Sequence, residues 1–142
     1  MDEWITTAGR LLAEPYPETM TQRADGFAEP GLHVAYLMVS RDFWDGDGRE
    51  AMEPTLEEYE AVCDRLVAAP AERWGEPERI DLSEVLAGSL RGEEQPPLTG
   101  YLCGVAGGPA PLWRRDDRHV SVVVAWADKE LPMIVTLAVG QN

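Results

Sequence analysis

A two-layer α+β domain is the architecture this chain predicts: a mostly antiparallel sheet of about five strands, covered on one face by two main helices. Three observations lead there. Apolar residues recur at three- and four-residue steps over 2–13 and 55–69, the period of an amphipathic helix. Over 32–40 and most of the last third they alternate or run continuously between turn signals, as strands do. The acid is also unevenly placed, with 22 Asp/Glu against 8 Lys/Arg in residues 1–94 and 4 against 4 in residues 95–142. The net charge of −14 thus belongs to the first two thirds, which leaves a neutral, strand-rich remainder suited to packing.

Along the chain, Trp4, Ile5, Ala8, Leu11 and Leu12 form the stripe of a first helix over 2–13, stopped by Pro15 and Pro17. Residues 19–30 are polar and glycine-containing and read as a loop or a short helical turn. Residues 32–40 read as a strand whose two alternating sets are both largely apolar, which places it centrally in a sheet. A second helix over 55–69 opens at Thr55, with Glu58 at capping-box spacing and Pro54 just before. Its stripe is Leu56, Tyr59, Val62, Cys63, Leu66 and Val67, its outer face carries Glu57, Glu60 and Asp64, and Pro70 ends it.

Beyond it, two readings compete: 78–82 is a short edge strand, or Asp81 instead caps a brief helix through Leu90. Residues 91–97 are a polar linker and 98–105 a further strand. Strands 112–115 and 118–127 flank Asp116 and Asp117 as a hairpin, and 133–139 completes a meander after a turn at 128–132.

A chain of 142 residues fits one domain spanning 1–142, large enough to bury roughly two thirds of its unfolded surface. No apolar run reaches the ~18 residues of a membrane span, and the acidic start lacks the pattern of a signal peptide. A cytoplasmic protein is therefore expected, with Cys63 and Cys103 as buried thiols. Eleven of the twelve basic residues are Arg, and Ala, Gly and Pro abound, a bias that resembles high-GC bacterial genomes.

The acid repels phosphates and anionic lipid, so neither ordinary nucleic-acid binding nor membrane binding is expected. A basic protein partner is what such a surface attracts. The candidate partner-binding residues are Glu57, Glu60 and Asp64, together with Trp44, Asp45 and Asp47 of the turn-rich loop 42–50. The Asp-rich loop fails calcium-loop spacing, because counting from Asp45 places Arg49 at position 5 and Leu56 at position 12. No metal or cofactor is implied.

No nucleophile elbow, zinc-protease pattern or phosphate loop is present. The alternative site is the basic hairpin tip, Arg114, Arg115, Arg118 and His119, which as an enzyme would handle a phosphoester. His33, inside a central strand, reads as a core histidine. Trp4 and Trp126 read as core, while Trp74, like Trp44, sits beside acid in a loop. The general character is similar to that of small bacterial immunity or inhibitor proteins: acidic, single-domain and motif-poor. The functional expectation is accordingly a protein that neutralises or escorts a basic partner such as a toxin or nuclease. A small enzyme built on the tip and a small-ligand-binding module are the alternatives.

Overall fold

Strands that are apolar on both sides need cover on both sides, and this decides the layering. A computed structural model describes residues 3–40, 48–106, 109–115, 117–126 and 132–141. Its strands are β1 (Thr21–Arg23), β2 (Gly26–Glu29), β3 (Leu32–Val39), β4 (Glu78–Ile80), β5 (Ala110–Arg115), β6 (Arg118–Ala125) and β7 (Ile134–Gly140). They form one sheet in the order β1-β2-β3-β7-β6-β5-β4, with every pairing antiparallel. The helices are α1 (Glu3–Ala13), α2 (Gly48–Trp74), α3 (Leu82–Leu90) and α4 (Pro97–Val105).

The α+β class and the antiparallel sheet match the expectation, and the layer count does not. Helices α1 and α2 cover one face, where Trp4, Ala8, Leu11, Tyr59 and Cys63 meet Val120, Val122, Val135, Leu137 and Val139. On the other face, Leu82 of α3 and Leu98 and Leu102 of α4 meet Leu32, Val34, Leu112, Val123 and Ala138. The two faces draw on alternate residues of the same strands, so three layers replace the expected two and seven strands the expected five.

Three local readings are corrected. Residues 21–29, expected as loop, form the hairpin β1–β2 at the sheet's edge. Exposed and polar, β1 carries no burial pattern to read. The register beyond it is fixed by two glycines. Gly31 takes φ 81° in the turn into β3, and a Cβ on Gly26 would run into the carbonyl oxygen of Val34.

Helix α2 begins seven residues before Thr55 and passes Pro70 to end at Trp74, so Thr55 is an interior residue and not a cap. A proline inside a helix costs about 3 kcal/mol, yet packing of Met52, Leu56, Tyr59, Val62, Leu66 and Trp74 on the core carries the helix through.

Residues 98–105 are helical and not a strand. Pro97 stands at the first helical position, and Leu98 and Leu102 bury one turn apart. The β4 strand and the α3 helix both form, with Asp81 accepting from the Ser83 amide at 2.9 Å as the N-cap.

Candidate functional site

The outward face of α2 is where the structure gathers carboxylates. Glu57, Glu60 and Asp64 are exposed, as expected, and Glu53 joins them because the helix starts earlier than its cap signal. At 100° per residue, positions 53, 57, 60 and 64 fall within an arc of about 60° and extend over about 16 Å. Glu53 with Glu57, and Glu60 with Asp64, are like-charged i,i+4 neighbours, each pair costing the helix a few tenths of a kcal/mol. The ion pairs among the described residues are Glu14–Arg23 and Arg91–Glu93, and neither draws on α2. Trp44, Asp45 and Asp47 of the candidate set lie outside the described residues.

A slot opens beneath this stripe. Strands β5 and β6 pair from Trp113↔Val120 to Arg115↔Arg118, towards their shared turn. Further along, Pro111 has no amide hydrogen to give, the Ser121 hydroxyl donates to the Pro111 carbonyl at 2.6 Å, and the Val122 carbonyl accepts from Cys63 Sγ at 3.4 Å. The resulting cavity of about 180 Å³ is lined by Glu60, Cys63, Asp64, Arg79, Pro109 and Pro111, among others. Burial, reinforced by the charges of Asp64 and Glu60, pushes the Cys63 thiol up to about 12. It is a neutral packing group and not a nucleophile.

Strand alternation divides the basic hairpin tip. Arg114 and His119 are cross-strand partners on one face, and Arg115 and Arg118 on the other. The Arg118 guanidinium turns inward, donating to the Leu11 carbonyl at 2.7 Å and the Glu14 carbonyl at 2.5 Å, and lies 4.1 Å from the centre of the Tyr16 ring. It thereby caps the C-terminal end of α1, where carbonyls lack helical partners. Arg115 sits 5.2 Å from the Trp74 ring. Arg114 is exposed, while burial and then Arg114 hold the imidazole of His119 below its ordinary pKa. Two of the three guanidiniums thus perform structural work, and the four side chains do not converge on one point.

Sequence reading missed the polar cluster around α1's end. Glu14 accepts from Arg23 in a two-pronged pair at 2.5 and 3.1 Å, which lowers the carboxyl's pKa. His33, buried as expected of a core histidine, offers Nε2 to the Glu14 carbonyl at 3.1 Å and stacks on Tyr16 with ring centres 5.1 Å apart. Arg118 and His33 each stack on Tyr16, and the three lie far apart in sequence, so no local signal announces the cluster. Trp74 is likewise no exposed anchor: it packs edge-on against Trp4 and Trp113, with ring centres 6.2 and 5.9 Å away. Among the described residues no cluster of His, Cys, Asp and Glu is arranged to hold a metal ion, and no helix is long and apolar enough to cross a membrane. Compared with known proteins, the chain matches no protein family, no curated protein and no solved structure.

Proposed function

We propose that this protein binds a basic protein partner across the outer face of α2, neutralising or escorting a toxin, nuclease or other cationic enzyme. The observation that carries the reading is the stripe of Glu53, Glu57, Glu60 and Asp64, exposed on one helix. Four carboxylates on about 16 Å of helix can occupy a cleft that otherwise receives the phosphates of a nucleic acid. The helix tolerates like-charge neighbours whose repulsion a partner's cations would relieve.

An arginine-rich peptide serves as the first probe, followed by amide chemical shifts. Shift changes centred on residues 53–64 that vanish in high salt support the reading. A peptide that binds elsewhere, or not at all, overturns it. With a natural partner recovered through the tagged protein, the triple reversal Glu57→Lys, Glu60→Lys, Asp64→Lys is expected to slow association by about tenfold or more at low salt. Its effect on folding should be far smaller.

A further inference from the structure

The second helical face carries a ridge and a notch side by side. Between α3 and α4 runs a groove of about 260 Å³, with Leu86 and Ser89 on one bank, Gly100, Cys103 and Gly104 on the other, and Gln95 beside them. Leu86 and Leu90 stand one turn apart on α3 and are 49% and 80% exposed. They are two of the four large hydrophobics so exposed among the described residues. Single exposed apolar residues are ordinary, but a row of them beside an apolar groove is not. On α4 the bank is cut away. A Cβ on Gly104 would meet nothing within 4 Å, and one on Gly100 only the Gln95 Cβ at 3.8 Å.

We propose that two copies of this chain associate through this face about a two-fold axis. The Leu86/Leu90 ridge of each copy seats against the Gly100/Gly104 notch of the other. A two-fold contact requires one patch to carry both the projection and its complement, which this patch does. The charge distribution permits the same occupant. Two chains of net charge −14 repel wherever their acidic surfaces meet. Helix α4 carries no charged residue, and α3 carries only Glu84, about 160° around the helix from Leu86. The charges beside the groove, in residues 91–94, include an Arg91–Glu93 pair at 3.5 Å. A second copy can therefore approach here with little opposing charge, and a cationic partner finds little counter-charge.

Sedimentation of the full chain from low micromolar to submillimolar concentration tests this. The expected result is a monomer–dimer equilibrium that tightens with added salt, the opposite of the salt response of a basic partner on α2. Leu90→Glu is expected to weaken self-association by about tenfold or more. Gly104→Leu, which fills space that is open in the monomer, should do the same with an unchanged melting temperature. The Cys103 thiol, expected to be buried, is only half-buried and lines the groove, so its labelling should slow as the dimer forms. A monomeric mass across the whole range overturns the proposal, and so does a dimer indifferent to both substitutions.

Discussion

Arg118 joins the hairpin of the last third to the first helix through two carbonyls and a ring. Hydrogen bonds from a charged donor contribute about 1.5–3 kcal/mol, and uncapped carbonyls at a half-buried helix end add to the loss. Arg118→Ala is therefore expected to cost about 2–4 kcal/mol in urea unfolding. Arg118→Lys should restore only part of this, since an ammonium lacks the fork and the flat face. Arg114→Ala, exposed on the neighbouring strand β5, should stay within about 0.5 kcal/mol. The pair of substitutions separates structural from surface arginines that sequence spacing had grouped together. His33 supplies a pH dependence. Burial holds its pKa below the ordinary 6.5, so the folded protein keeps it neutral while the unfolded chain takes up a proton below that value. Its share of stability is complete above pH 6.5 and is lost as pH falls from there towards the folded pKa. His119 acts in the same direction. The melting temperature is expected to fall between pH 7.5 and 5.5, and His33→Phe should flatten the fall.

At the level of elements, periodicity was informative wherever one face alone is buried. Helix α1, the core-facing stripe of α2 and the β5–β6 hairpin could be read directly. It misled where burial and period part company. Residues 98–105 are nearly all apolar, and an apolar run of eight does not distinguish a buried strand from a short helix. Proline signals misled in α2 for a different reason, since tertiary packing outweighs a local penalty. That account is testable. Pro54 is exposed and interior to the helix, so Pro54→Ala is expected to stabilise the protein by about 1–3 kcal/mol. Thr55→Ala should leave stability nearly unchanged, whereas loss of a true N-cap costs about 1 kcal/mol. Urea titrations of the two variants distinguish the two helix starts. Replacing Glu57, Glu60 and Asp64 by Gln should hold the melting temperature level or raise it slightly, because the stripe's members repel one another. As for the candidate site, its acidic half was visible because solvent faces leave a clear wheel. Its fourth member, Glu53, was hidden behind a false helix start, and the stack at α1's end was hidden by sequence distance.

For the molecule as a whole, the order β1-β2-β3-β7-β6-β5-β4 places the last strand in the middle. Strand β3 must wait for β7, whose first residue, Ile134, lies far beyond Val39 along the chain. At ribosomal rates of about 5–20 residues per second, that separation amounts to roughly 5–20 s of synthesis. Throughout it, β3 presents an open apolar edge of the kind that recruits other chains. Six of the 22 acidic residues before position 95 precede β3 and the other 16 emerge during this interval, and 8 basic ones offset them only in part. Mutual repulsion between unfinished copies then acts when the sheet is most vulnerable. A chain arrested before residue 132 is expected to be soluble and protease-sensitive at low salt and to scatter light once salt screens its charge. The acid that gives the finished protein its charged surface would on this account also chaperone its own synthesis.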